Sequence, residues 1–268
     1  MASGTLCPGG CFFWQHSVVM ALPVTRVLQT ARPLARHCNL HVTPAFKKAK
    51  TGAEQRWLAR QTSDPYVKAA QANNYRCRSA FKLLEIDSKY KLLLPGHSVI
   101  DCGAAPGAWS QVVVQKVNSL GTEPNVDVGF VVGVDLLHVS PLEGAVFLSD
   151  SDITDPVTQN KVVSLLPTGK ADVVLSDMAP NASGIRELDH QKLVNMCLSL
   201  LDLTERVLRP GGSFLCKLWD GGKSCLVRDR LRQRFQDVRN VKPKASRTDS
   251  AETYLLARFH KGDPSPAN

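Results

Sequence analysis

Residues 99–107 have the sequence V-I-D-C-G-A-A-P-G, an apolar run followed at once by a glycine-containing turn. The run ends at Asp101, the turn holds Gly103 and Gly107, and a stretch compatible with a helix begins at Ala108. Such a strand–turn–helix unit places free backbone N–H groups at the carboxyl end of the strand, where open α/β sheets bind ligands. The stretch therefore predicts the first βα unit of a parallel sheet, with a ligand site at the turn.

Short β-rich runs and longer helical stretches alternate along the rest of the chain. The predicted strands are Ser98–Asp101, Phe130–Val134, Ala145–Leu148, Asp172–Leu175, Ser213–Lys217, Val238–Val241 and Thr253–Phe259. The predicted helices are Pro65–Ala72, Ser79–Leu93, Ala108–Val117, Pro156–Leu166, Leu188–Leu208 and Lys223–Phe235. This alternation predicts an α/β fold with a mostly parallel sheet and helices on both faces. The last two strands are expected to pair antiparallel at the edge of the sheet.

Positive charge is concentrated at the N-terminus. The formal net charge is +9, and no acidic residue precedes Glu54. The basic residues of this segment are Arg26, Arg32, Arg36, Lys47, Lys48 and Lys50. A basic, acid-free segment with Ser, Thr and Ala is typical of a mitochondrial presequence, and the alternative is a basic arm that contacts RNA. We predict a targeting presequence and basic leader over residues 1–53, a catalytic domain over 54–262 and a disordered tail over 263–268.

Neither a membrane span nor a metal site is expected. The apolar stretch Cys11–Val24 contains Gln15, His16 and Pro23, and it falls short of the ~20 apolar residues that a span requires. The eight cysteines form no C-x-x-C motif and no Cys/His cluster at the spacing of metal ligands. They suit a reducing compartment, in which a buried cysteine acts as a small core residue.

The glycine turn favours a nucleoside cofactor without a pyrophosphate. Its spacing is G-x-x-x-G with a proline inside, whereas nicotinamide oxidoreductases prefer G-x-G-x-x-G, so that class is disfavoured. Asp135 ends the second strand, where a carboxylate can accept hydrogen bonds from ribose hydroxyls. Asp152 follows the third strand and is expected near the adenine edge, with Asp150 and Asp155 as rivals. Trp109 either packs over the cofactor or belongs to the core.

Two lysines and two acids lie where strands or helices end beside this turn. Lys217 ends the apolar strand of G-G-S-F-L-C-K, and Asp177 follows the fourth strand. Lys82 lies on the helix before the sheet, and Glu252 begins the last strand. A lysine serves as a base only when it is neutral, and burial or a neighbouring cation favours that form. We expect Lys217 to act as the base, and Glu252 to hold both ammonium groups in place.

These motifs resemble the FtsJ/RrmJ family of S-adenosylmethionine-dependent ribosomal RNA 2′-O-methyltransferases. The resemblance covers about 64–259 and rests on Y-R-C-R-S-A-F-K-L, D-C-G-A-A-P-G-A-W-S-Q, L-S-D-M-A-P-N-A-S-G and P-G-G-S-F-L-C-K. It implies a Rossmann-like class I methyltransferase fold with a seven-stranded sheet. It also implies a catalytic tetrad of Lys82, Asp177, Lys217 and Glu252. The implied cofactor ligands are Gly103, Pro106, Gly107, Ala108, Trp109, Asp135, Asp152 and Asp177.

Together with the leader, the resemblance implies a uridine of mitochondrial large-subunit rRNA, free or in a pre-ribosome, as the substrate, and the mitochondrial matrix as the location. A monomer is expected.

Two basic segments, Lys68–Lys91 and Lys223–Arg247, are candidates for phosphate contacts, although Arg228–Arg234 can instead be a solvated helix face. An assembly factor whose methylation is secondary remains an alternative function. Ala108 departs from the family, whose bacterial members have glycine there, and Ala80 replaces an aromatic residue.

Overall fold

The computed structural model describes residues 51–219, 221–248 and 250–262. The predicted tail and all but residues 51–53 of the predicted leader lie outside these ranges. The helices are α1 Gly52–Ser63, α2 Pro65–Ala72, α3 Ala80–Tyr90, α4 Ala108–Lys116, α5 Pro156–Leu165, α6 Arg186–Val207 and α7 Ser224–Arg234. The strands are β1 Ser98–Cys102, β2 Phe130–Val134, β3 Val146–Leu148, β4 Ala171–Ser176, β5 Leu208–Trp219, β6 Phe235–Val241 and β7 Glu252–His260.

The seven described strands form one sheet in the order β3-β2-β1-β4-β5-β7-β6. Strands β1 to β5 pair in parallel, and β7 pairs antiparallel with both β5 and β6. The prediction of a mostly parallel sheet with an antiparallel pair at the edge is confirmed. The structure adds that β7 lies one place inside the edge and that β6 forms the edge itself.

The order of the last two strands follows from their side chains. Strand β7 carries four consecutive buried residues, Tyr254–Ala257, whereas most of β6 is exposed or half-buried. A strand that is apolar on both faces exposes the least apolar surface to water when it lies inside the sheet, whereas a polar strand is tolerated at the edge.

Helices pack on both faces of the sheet, as predicted. Ile100 and Phe214 belong to a buried cluster that includes residues of α5, α6 and α7. Val99 and Leu215, their neighbours in the sequence, belong to a second cluster with residues of α3 and α4. Alternate residues of a strand point to opposite faces, so each central strand supplies both clusters. Each fully buried large apolar side chain contributes roughly 1.5–3 kcal/mol relative to exposure.

Acidic caps fix two of the helix starts. Asp64 accepts a hydrogen bond from the backbone N–H of Tyr66 at 3.0 Å and so caps α2, while Asp155 caps α5 in the same way. Both helices begin with proline, which needs no N–H partner at that position. The twelve-residue α1, which the sequence analysis did not predict, ends immediately before Asp64. No helix in the described part of the chain has the length and apolar character needed to cross a membrane.

Candidate active site

The predicted site residues lie around the carboxyl ends of three central strands. Strand β1 is flanked by β2 on one side and by β4 on the other, so the strand order reverses beside it. Cys102 at the end of β1 is in register with Ser176 of β4, and Ser176 is in register with Cys216 of β5. Asp177 follows Ser176, and Lys217 follows Cys216. This reversal point opens a crevice, which is where α/β proteins bind ligands.

Lys217 and Asp177 form a nearly buried ion pair. The Nζ atom of Lys217 lies 3.0 Å from Oδ1 of Asp177, and it also donates to the backbone carbonyl of Asp177. The Lys217 residue is 9% exposed. Two acceptors of one residue thus fix the direction of the Lys217 amino group. One further hydrogen-bonding position of Nζ is left for another group.

Lys82 is held by the second acid of the predicted tetrad. Its Nζ atom lies within 2.8 Å of both carboxylate oxygens of Glu252, although α3 and β7 are far apart in the sequence. Ser246 donates a hydrogen bond to Oε1 of Glu252 at 2.7 Å and so orients the carboxylate. The expectation that Glu252 holds both ammonium groups needs correction, because Glu252 pairs with Lys82 while the described partner of Lys217 is Asp177.

Tyr254 connects the two ion pairs. Its hydroxyl donates to Oδ1 of Asp177 at 2.7 Å, and Nζ of Lys82 lies 5.8 Å from the centre of its ring. Burial, followed by the nearby charges of Asp177 and Glu252, raises the pKa of Tyr254 well above its ordinary value. The phenol therefore stays protonated and remains a donor. No role for Tyr254 was predicted from the sequence, although its pairing with Lys217 across β5 and β7 places it beside the site.

A cleft of about 240 Å³ lies beside the tetrad, between the ends of β1, β2 and β4. Four of the predicted cofactor residues line it: Gly103, Asp135, Asp152 and Asp177. Apolar side chains complete the lining, among them those of Leu136, Ile153, Met178 and Met196. An apolar slot with a few carboxylates suits a group that combines a flat ring with hydroxyls.

Two of these carboxylates are oriented by the backbone. Asp135 accepts hydrogen bonds from the backbone N–H groups of Ala105 and Leu137, each at 2.8 Å, which ties the glycine turn to the end of β2. Asp152 accepts from the backbone N–H and the hydroxyl of Thr154. A carboxylate oxygen has two acceptor sites, so both residues retain capacity for a ligand. Asp150 and Asp155, the rivals of Asp152, are not among the residues that line the cleft.

Four other predicted cofactor residues lie next to the cleft without lining it. The carbonyl of Pro106 accepts a hydrogen bond from Arg76. Gly107 has φ +106, and a Cβ atom there would collide with the side chain of the same arginine. Ala108 is buried at the start of α4. Trp109 is 3% exposed, donates its indole N–H to the carbonyl of Ser79 at 2.9 Å and packs against Tyr254. The indole therefore packs as a core side chain, and cofactor contacts of these four residues stay predictions.

Gly103 has a conformational reason to be glycine. Its φ is +79, and a Cβ atom there would collide with the Met178 side chain that lines the cleft. A side chain would be strained by the backbone and blocked by its neighbour. Glycine therefore lets the ends of β1 and β4 approach each other closely.

Asp101 is a buried carboxyl behind the glycine turn. Its Oδ2 atom accepts a hydrogen bond from the Ser110 hydroxyl at 2.6 Å, and its Oδ1 atom has no hydrogen-bond partner. Burial, with added repulsion from Asp177 and Asp135, raises the pKa of Asp101 to about 7. Asp101 thus contributes much less negative charge to the site near neutral pH than an ordinary carboxylate.

In the described residues, no group of three or more His, Cys, Asp or Glu side chains could hold a metal ion.

Comparison with known proteins identifies the family. The pattern of FtsJ-like methyltransferases matches residues 75–259, more than half of the chain. The chain belongs to the FtsJ-like methyltransferase family. Rossmann-like architecture, as predicted, is thereby confirmed.

Relatives of this FtsJ-like methyltransferase match most of its length. The protein named rRNA methyltransferase 2, mitochondrial, from Drosophila melanogaster is 45% identical over 82% of this chain and 88% of its own. The ribosomal RNA large subunit methyltransferase E of Ruegeria pomeroyi is 45% identical over 84% of this chain and 95% of its own. A crystal structure of a ribosomal RNA methyltransferase from Plasmodium falciparum superposes with a TM-score of 0.61 at 27% identity, and the match covers 70% of this chain and 100% of that one.

Proposed function

We propose that this FtsJ-like methyltransferase transfers a methyl group from S-adenosylmethionine to the 2′-hydroxyl of a uridine in mitochondrial large-subunit rRNA. Support for an rRNA substrate comes from the names of both relatives, and support for the large subunit comes from the bacterial one. The observation that carries the 2′-O-transfer is the buried Lys217–Asp177 pair beside an apolar, carboxylate-lined cleft.

We assign the general base to Lys217. To act as a base, the ammonium group of this ion pair first gives up one proton; the amine then has two N–H bonds and one lone pair, and both acceptors of Asp177 lie within reach of those two N–H bonds. The lone pair is then left for the ribose hydroxyl. As the hydroxyl oxygen forms its bond to the methyl carbon, the bond between that carbon and the sulfonium sulfur would break with its electron pair returning to sulfur, and the hydroxyl proton moves to Nζ of Lys217. General-base assistance of this kind contributes roughly 10²- to 10⁴-fold.

The other tetrad residues position these groups. The Lys82 ammonium, held by Glu252, is suited to bind an oxygen of the target nucleotide. Tyr254 fixes the Asp177 carboxylate and thereby the direction of the Lys217 amine. Bound S-adenosylmethionine would supply an electrophilic sulfonium methyl group, which needs alignment with the attacking oxygen.

Cofactor binding is assigned to the cleft. The Asp135 carboxylate is placed to accept from ribose hydroxyls, and Asp152 from the adenine edge. We keep the backbone of Pro106, Gly107 and Ala108, together with Trp109, as further cofactor contacts.

The mitochondrial matrix is the proposed location, and the protein is expected to be a monomer there. Support comes from the acid-free basic segment over residues 1–53 and from the name of the Drosophila relative. The predicted presequence lies outside the described residues, apart from residues 51–53.

The two basic segments differ in how free their charges are. On α7, Arg230 and Arg234 pair with acids of α6, and Arg232 pairs with Asp229. Paired cations bind phosphate less well, so α7 fits the solvated-face alternative. RNA contacts are expected mainly from the segment that contains Lys82.

A transfer assay tests the proposal. Labelled S-adenosylmethionine is incubated with mitochondrial large-subunit rRNA or pre-ribosomes, and the nucleosides are then identified by mass spectrometry. We expect a 2′-O-methylated uridine that is absent with Lys217→Ala and present with Lys170→Ala, a change at an exposed lysine before the amino end of β4, whereas the crevice lies at the carboxyl ends of the strands. If the protein binds cofactor and RNA but transfers no methyl group, the assembly-factor alternative replaces this proposal. Transfer by Lys217→Ala at the normal rate would exclude Lys217 as the base.

A further inference from the structure

A second cavity, of about 410 Å³, adjoins the tetrad on the side of Lys82 and Glu252. Besides these two residues, its lining includes three arginines, Arg60, Arg78 and Arg247, and the polar side chains of Gln61, Ser79 and Ser250. Among the described residues of the lining, four cations face one carboxylate, and that carboxylate is already bound to Lys82. The cavity has a surplus of positive charge next to the proposed position of the target ribose.

One carboxylate outside the lining organises two of these arginines. Asp64, the cap of α2, forms an ion pair with Arg78 and lies 3.8 Å from Arg247. Arg78 also donates to the carbonyl of Ala245, which fixes the plane of its guanidinium group. A single carboxylate neutralises two guanidinium groups only in part. The arginines are therefore positioned and still able to bind an anion.

Arg60 enters the cavity from a different part of the chain. It lies in the last turn of α1, which precedes the region matched by the FtsJ-like pattern. The side chain is exposed, and none of the ion pairs among the described residues includes it. Arg60 therefore adds a cation that has no ion-pair partner among the described residues, beside two fixed arginines.

We propose that Arg60, together with Arg78 and Arg247, holds a phosphodiester group of the RNA strand next to the target ribose, so that α1 completes the substrate site. The inference rests on the proposed function for the identity of the ligand. Guanidinium groups bind phosphate oxygens through paired N–H donors, and three of them line this cavity. The cavity also touches Lys82, so a strand that enters it continues directly to the tetrad.

The test compares Arg60→Ala with Arg56→Ala, a charge-matched change one turn earlier on α1 at an exposed residue outside the cavity. Arg60→Ala should raise the KM for an RNA fragment that contains the target roughly three- to fivefold with kcat and cofactor affinity unchanged. It should also reduce the slope of log affinity against log salt by about 0.7–0.9, the loss of one phosphate contact. Arg60→Lys should recover part of the KM, and Arg56→Ala should match the wild type.

A binding measurement separates this inference from the proposed function. RNA affinity is measured by fluorescence anisotropy in the Lys217→Ala background, where no methyl transfer is needed. If the intact protein binds RNA but does not methylate it, the proposed reaction fails while the Arg60 effect on affinity is still read. Equal affinity and equal salt slope for the Arg60→Ala and Arg56→Ala proteins would overturn the phosphate assignment. Should Arg60→Ala lose its thermal unfolding transition, Arg60→Gln, which keeps two methylenes and a polar but uncharged end group, is judged by the same two criteria.

Discussion

Asp101→Asn should change how the stability of the protein depends on pH. The Asp101 side chain is fully buried, and only its Oδ2 atom has a partner, the Ser110 hydroxyl. Burial, with repulsion from Asp177 and Asp135, raises the pKa of this carboxyl from its ordinary value of 3.8 to about 7. Asparagine has nearly the same shape but does not titrate. The substitution therefore removes one pH-dependent contribution to the free energy of unfolding and keeps most of the packing.

The sign and size follow from proton linkage. Between pH 3.8 and pH 7 the folded protein binds a proton at Asp101 that the unfolded chain has lost. The free energy of unfolding then falls by about 1.36 kcal/mol per pH unit from this group. Over the whole window the loss is on the order of 4 kcal/mol, and roughly 3 kcal/mol of it lies between pH 5 and pH 7. The contribution is fully present below pH 3.8 and is lost as the pH rises through about 7.

Urea unfolding from pH 5 to pH 8 measures this effect. The stability of the wild type minus that of the Asp101→Asn protein should fall steadily up to about pH 7 and then level off. Ser110→Ala removes the hydrogen bond that lowers the pKa of Asp101, so the levelling should move to higher pH. A constant difference between wild type and variant across this range would show that Asp101 does not titrate there, and the burial argument would be wrong.

Three further substitutions probe the site and its support. Tyr254→Phe removes the hydroxyl that bonds to Asp177 but keeps the ring, so kcat should fall roughly tenfold with cofactor affinity unchanged, as measured by steady-state kinetics and calorimetry. Gly133→Ala would place a Cβ atom 2.6 Å from the Phe147 ring, so thermal unfolding should show a stability loss of about 1–3 kcal/mol. Asp64→Ala removes the cap of α2 and the partner of Arg78, which should cost roughly 2–4 kcal/mol in urea unfolding.

Most of the fold could be predicted because its parallel strands carry local signals. Helix α2 and strand β2 have the predicted boundaries, and α5 differs by one residue. The position of β7 inside the edge was not predicted from the sequence. The consecutive apolar residues Tyr254–Ala257 carried the signal for an inner strand. Helix α1 is more polar than α2 and α3, and it packs mainly against α2, the next helix in the sequence.

The residues of the candidate tetrad were predicted from the sequence, but the ion pairs among them were not. The order of strands in a doubly wound sheet brings the ends of β1, β4 and β5 together, so Asp177 and Lys217 were expected to be close. Which acid holds which lysine depends on side-chain directions and on the β5–β7 register, neither of which the sequence contains locally. Tyr254 was missed for the same reason, because its role follows from its position opposite Lys217.

The antiparallel strand is what lets the site include a residue from the end of the chain. Strands β1 to β5 run parallel, so their carboxyl ends form the crevice, and a further parallel strand would bring only its own carboxyl end there. Because β7 runs the other way, its amino end lies beside the carboxyl end of β5, and Glu252 comes opposite Trp219. Glu252 can then meet Lys82, which α3 supplies from before the first strand. The direction of β7 therefore accounts for a tetrad assembled from both ends of the domain.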